Sequence, residues 1–124
     1  MKEVIAVVRI NMMNQTKQAL TDCGIDAFFA HEAHGRGKGF ASREVLAGAE
    51  QGYEEAASLL GEKGKLYPKR IVTVVVEDSR VDCVVETIIN TNQTGLAGDG
   101  KVYVLPLSDA VRLRTGESGK KAIT

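Results

Sequence analysis

The residues best placed to do chemistry are glycines interleaved with cations. "GDGK", residues 98–101, sets Gly98, Asp99, Gly100 and Lys101 between an apolar helical pattern and a β-branched strand pattern. Two glycines so close together in a turn cost too much backbone entropy to be filler, which points to a ligand. "HGRGKG", residues 34–39, alternates Gly35, Gly37 and Gly39 with Arg36 and Lys38 directly after another strand pattern. Backbone N–H groups in such a turn can converge as a nest while a cation adds charge, the chemistry of a phosphate site. The same alternation also suits a solvated flexible loop. "RLRTGE", residues 112–117, would carry Arg112 and Arg114 on one side of an extended segment. Two neighbouring guanidiniums either share a polyphosphate, whose geometry suits bidentate contact, or stand exposed on an edge strand.

Nothing in the chain adds a reaction to this binding chemistry. The G-x-x-x-x-G-K-[ST], G-x-S-x-G and H-E-x-x-H patterns are absent, and no nucleophile stands at a recognisable spacing from a base. A regulatory or binding protein is expected, not an enzyme. His31 and His34 lack a second ligand pair, so no metal site is expected. Cys23 and Cys83 have no C-x-x-C neighbour and read as reduced thiols without chemistry. Sixteen basic and sixteen acidic residues cancel, leaving no global field for nucleic acid or anionic membrane. Three Tyr, three Phe and no Trp also offer little for stacking RNA bases. No apolar run has the length of a membrane span or signal peptide, so a cytoplasmic location is expected without membrane insertion.

The elements that position these turns repeat. Residues 2–10 read as an apolar strand; residues 14–23 place Thr16, Ala19, Leu20 and Cys23 at helical spacing, with Gly24 as C-cap; residues 25–34 read as a second strand. The order returns: residues 70–77 form a β-branched strand, Val81, Val84, Val85, Ile88 and Ile89 follow a helical stripe, and residues 101–107 form a fourth strand. Ser79 and Asp82 suggest a variant capping box for the second helix. Two βαβ halves in tandem predict an α/β (α+β) ferredoxin-like double βαβ sandwich with an antiparallel sheet, a single domain over residues 1–124. Residues 4–8, 71–76 and 102–105 are apolar on both alternating faces, yet two helices cover only one. Either copies of the chain pack through the bare faces in a closed homo-oligomer, or the C-terminal segment folds back over the sheet. Between the halves, residues 35–67 form a long connection, expected to be a mobile arm with a short helix over residues 50–60.

"TGLAGDGKVYVLPLSDAVRLRTGE", residues 94–117, resembles the C-terminal signature of the PII nitrogen-regulatory signal-transduction family, as do "MKEVIAVVRINMMNQTKQALTDCGI" and "GRGKG" nearer the N-terminus. The resemblance implies a ferredoxin-like trimer with three nucleotide clefts between subunits and a long "T-loop", here about residues 35–67, that touches target proteins. By the same resemblance Gly35, Gly37 and Lys38 line nucleotide phosphates, Lys38 standing where the family usually has arginine. Gly98, Asp99, Gly100 and Lys101 hold the ribose and phosphate side of ATP or ADP. Arg112 and Arg114 reach the phosphates, and the Val75 backbone reads adenine. Lys69 matches a lysine that the family uses near 2-oxoglutarate, and Gly39 falls where the family places a glutamine that meets Mg²⁺ and 2-oxoglutarate. Other departures concern Phe29, in place of a threonine beside the adenine, and Gln51 and Ala49, in place of the modified tyrosine and serine. A T-loop lengthened by roughly ten residues and lacking the tyrosine is similar to the nitrogen-fixation-linked branch, whose members pair with a sister PII protein and bind nitrogenase. The implied function is a sensor of ATP or ADP, with Mg²⁺ and 2-oxoglutarate, acting through the T-loop; the alternative is an adenylate sensor for a transporter or other enzyme without 2-oxoglutarate.

Overall fold

The computed structural model describes residues 1–36 and 66–124. Strand β1 (Lys2–Val8) leads through a 3₁₀ turn (Ile10–Met12) into helix α1 (Met13–Asp22), and β2 (Phe29–Gly35) follows. The second half runs β3 (Tyr67–Val76), a 3₁₀ turn (Asp78–Arg80), α2 (Val81–Asn92) and β4 (Lys101–Pro106), ending in a 3₁₀ turn over Gly119–Ile123. The sheet is antiparallel with order β2-β3-β1-β4, so the central strands come one from each half. The two βαβ units read from the sequence are therefore present and interleaved. The expected helix over residues 50–60, and Gly37, Lys38, Gly39, Ala49 and Gln51, lie outside the described residues.

Alternation on the central strands sorts their side chains. Val4, Ala6 and Val8 on β1 and Val72, Val74 and Val76 on β3 are buried beneath Leu20 of α1 and Val84 and Ile88 of α2. Where the helices converge, the Asn92 amide donates to Thr16 Oγ1 and to the Ile88 carbonyl, both at 3.0 Å, while the Thr16 hydroxyl donates to the Met12 carbonyl at 2.7 Å. This buried polar pair has its hydrogen bonds made, so it costs the core little.

The opposite parity carries Ile5, Val7, Ile71, Val75, Tyr103 and Leu105, and register places Phe29 opposite Thr73 on the same side. Phe29 is 70%, Tyr103 50% and Leu105 41% exposed in the single chain. The C-terminal turn does not cover them: Ile123 and Thr124 settle beside Val75, Val76 and Glu77 at one end of the sheet. Of the two ways to cover this face, folding back of the C-terminal segment is thus not the one adopted.

Local boundaries differ from the sequence reading in places. Ser79 and Asp82 do not cap α2, because the chain enters it through the 3₁₀ turn and Arg80 occupies the N-cap position without a side-chain cap. The Arg80 guanidinium instead donates to the Cys23 carbonyl at 2.6 Å, tying off the end of α1. Gly24, with φ of +88°, ends that helix in the left-handed conformation expected of a C-cap glycine. Strand β3 begins at Tyr67, ahead of Arg70. Its first residues pair with β2 alone, since β1 joins only from Arg70 onward, and Pro68 is tolerated where a strand has one neighbour.

Candidate functional site

Residues 98–101 close the α2–β4 connection against the end of β1. Gly98 and Gly100 have φ of +98° and +109°, a region that side chains with a Cβ rarely enter. Gly100 is constrained a second time, because a Cβ there would lie 1.8 Å from the Val7 carbonyl oxygen. Its identity is fixed by the close approach of the turn to β1.

Asp99 holds this turn in shape. One carboxylate oxygen accepts from the Thr94 and Gly95 backbone N–H groups at 2.8 and 2.9 Å. The other accepts from the Thr94 hydroxyl and from Arg9, whose Nη1 lies 2.8 Å away. The Thr94 side chain and backbone, with Arg9 and Gly95, hold the Asp99 carboxyl well below the usual carboxylate range. Arg9 also donates to the Ala97 carbonyl at 3.2 Å. Both Asp99 oxygens are thus directed into the protein's own loop, and Asp99 positions the glycines.

The turn faces a cleft of about 250 Å³ in which Gly35 at the end of β2, Arg36, Lys69 on β3, and Gly98, Gly100 and Lys101 come together, with Val7 and Tyr103 as its apolar wall. Lys69 Nζ donates to the Gly98 carbonyl at 3.3 Å, joining β3 to the turn. Arg36, Lys69 and Lys101 bring three cationic side chains to this cleft. Val7 and Tyr103 were not singled out from sequence. The signal for them was their odd-numbered parity on β1 and β4, which they share with Lys101.

Val75, Arg112 and Arg114 are not at this cleft. Val75 borders a recess of about 300 Å³ at the far end of β3, with Gly24, Asp26, Arg80 and the C-terminal Ile123 and Thr124. Six residues at about 3.3 Å each separate it from Lys69, a span of about 20 Å. Arg112 and Arg114 do not lie on an extended segment either. Gly116, with φ of +75°, lets the chain reverse, and hydrogen bonds from Gly116 N–H to the Arg112 carbonyl (2.7 Å) and from Arg112 N–H to the Glu117 carbonyl (2.8 Å) close the turn. The alternation argument fails because it presumed extended backbone. The Arg112 guanidinium donates to the carbonyls of Lys121 and Thr124 at 2.7 and 2.6 Å and lies 3.3 Å from Glu117, while Arg114 is exposed. Among the described residues, the predicted site therefore divides into those at the cleft and Val75 and Arg112, which lie away from it near the C-terminal Thr124.

Comparison with known proteins decides what this frame is. A family model described as nitrogen regulatory protein P-II matches residues 1–117. The chain belongs to that family. It is 40% identical over 125 residues to the nitrogen fixation nifHD region GlnB-like protein 2 of Methanobacterium ivanovii, covering 99% of each chain. It is 35% identical over 123 residues to the nitrogen regulatory protein P-II of Azospirillum brasilense, covering 99% of this chain and all of that one. The crystal structure of Arabidopsis thaliana PII bound to citrate aligns with a TM-score of 0.73 at 31% identity, over 99% of this chain and 89% of that one. The chain thus shares the fold of that PII structure, and among the described residues no helix is long and apolar enough to cross a membrane.

Proposed function

We propose that this P-II protein is a non-catalytic sensor that binds ATP or ADP and reports the nucleotide state through residues 35–67. The observation that carries the reading is the convergence of Arg36, Lys69 and Lys101 around the Gly98–Gly100 turn. Such a site suits phosphate: Lys101 and Arg36 supply charge, Gly35, Gly98 and Gly100 let backbone approach closely, and Val7 and Tyr103 offer an apolar wall. Gly37 and Lys38 extend the same group in sequence. A divalent ion here would take its oxygen ligands from nucleotide phosphates and water, as Mg²⁺ favours.

The second group of residues supports an assembly. Copies joined through the bare sheet face, as a homotrimer or mixed with a sister subunit, would bring the Val75 end and the arginines of one chain toward the Lys101 end of another. Arg112 would then exchange the Lys121 and Thr124 carbonyls for phosphate oxygens. Names such as nifHD region GlnB-like protein 2 among the relatives support nitrogenase as the target reached through residues 35–67. For the loop to report, ATP and ADP must bind its two states with different affinity.

Gly39 favours a second reading for the effector. Without a side chain it offers no ligand to Mg²⁺ or 2-oxoglutarate, leaving Lys69 alone for the latter. An adenylate sensor indifferent to 2-oxoglutarate, acting on a transporter or other enzyme, is that reading. Calorimetric titration of ATP into wild type, Lys101→Ala and Arg112→Ala tests the cleft. At least a tenfold loss of affinity in each variant is expected, about 1.4 kcal/mol. Unchanged affinity in both would remove the proposal.

A further inference from the structure

Sixty residues separate Cys23 from Cys83, yet their sulfurs lie 3.3 Å apart. Cys23 is the C-cap of α1 and Cys83 lies in the first turn of α2. Cys83 is exposed and Cys23 half-buried, on the helical layer and away from the bare sheet face. We propose that Cys23 and Cys83 form a redox couple that closes reversibly into an intramolecular disulfide, stapling the end of α1 to the start of α2. A disulfide needs its sulfurs at about 2.05 Å, so closure asks for a movement of about 1.3 Å, within reach of rotation about two side chains at helix ends.

The surroundings favour the exchange chemistry. Burial raises the Cys23 pKa, but hydrogen bonds with Cys83, Thr87 and Arg80 outweigh it and the net direction is down; the Cys83 thiol is pushed up by its hydrogen bond and charge interaction with Cys23. The first thiolate therefore sits at Cys23, with its neighbour still protonated. With a low-molecular-weight disulfide such as oxidised glutathione as oxidant, Cys23 Sγ attacks one glutathione sulfur. The glutathione S–S bond breaks and the first glutathione thiolate leaves. Cys83 Sγ then attacks Cys23 Sγ, breaking the mixed disulfide and releasing the second. The two thiol protons end on two glutathione thiols, so the protein loses two electrons and two protons and glutathione disulfide gains them.

The staple would act beyond the helices. Arg80, three residues before Cys83, holds the Cys23 carbonyl, and Gly24 and Asp26 beyond it border the Val75 recess. Closure would stiffen that edge.

The test uses the full-length protein, reduced, then equilibrated with oxidised glutathione, acid-quenched, alkylated and weighed intact under non-reducing conditions. Wild type is expected to become two hydrogens lighter with no alkylatable thiol, to migrate as a single chain, and to revert with dithiothreitol. Cys23→Ser and Cys83→Ser are each expected to stop at one glutathione adduct. The oxidised form should melt higher, by on the order of 10 °C. Two alkylatable thiols, two glutathione adducts, disulfide-linked chains, or an oxidised form melting with the reduced one would each overturn the proposal.

Discussion

Gly100→Ala separates the two reasons a glycine can be required in the turn before β4. The first is conformational: at φ of +109° an alanine pays roughly 1–2 kcal/mol for the left-handed region. The second is steric. The new Cβ would lie 1.8 Å from the Val7 carbonyl oxygen and 3.0 Å from its carbon, so backbone must separate by about 1.5 Å to restore ordinary contact. That separation falls on the last pairing of β1 with β4, Val7 with Lys101, where one or two ladder hydrogen bonds would be lost at about 1 kcal/mol each. The sum is about 2–4 kcal/mol, a large part of the stability of a domain this size. Gly95→Ala is the matched control, with φ of +83° and nothing within 4 Å of the new Cβ, so it carries only the conformational cost. Urea unfolding of both variants at one protein concentration should place Gly100→Ala about 1–2 kcal/mol below Gly95→Ala. Equal midpoints would refute the claim that Gly100 is fixed by the approach of Val7.

Asp99→Asn should lose the advantage that a depressed carboxyl confers. That advantage is complete above the unfolded pKa and fades as pH falls toward the lower folded one, so the stability gap between wild type and variant should close between about pH 5 and about pH 2, as acid unfolding monitored by circular dichroism will read. Leu20→Ala removes a fully buried side chain from between helix and sheet and should cost about 2–5 kcal/mol in the same urea assay. Tyr103→Asp puts a charge on the bare sheet face, where the residue is already half exposed in one chain. It should leave the fold intact by circular dichroism while lowering the assembly mass in sedimentation, and an unchanged mass would mean that copies do not meet through this face.

The architecture was legible because each half repeats the same change of period, from alternation on a strand to a helical stripe and back. Doubly apolar β1 and β3 also announced the uncovered face that register later placed Phe29, Tyr103 and Leu105 upon. What escaped was whatever depends on residues far apart in sequence. The Arg9–Asp99 pair, which braces the loop that carries Asp99, spans ninety positions. The Cys23–Cys83 approach spans sixty. The alternation of Arg112 and Arg114 misled for a local reason, since Gly116 permits a reversal that a strand pattern cannot express. For the cleft, Gly35, Lys69, Gly98, Gly100 and Lys101 converge as one group, whereas Val75 lies about 20 Å along β3 and Arg112 is tied to the C-terminal residues Lys121 and Thr124. A single chain's sequence carries no sign of which neighbour would reunite them.

The central claim is that the glycine and lysine turn at residues 98–101 serves an adenine nucleotide. Calorimetric titration of ATP and of ADP with Mg²⁺, each with and without 2-oxoglutarate, tests it most directly. The account expects saturable binding of both nucleotides at one site per chain, with 2-oxoglutarate either tightening ATP binding through Lys69 or leaving it unchanged as Gly39 suggests. Absence of saturable binding by either nucleotide would contradict it.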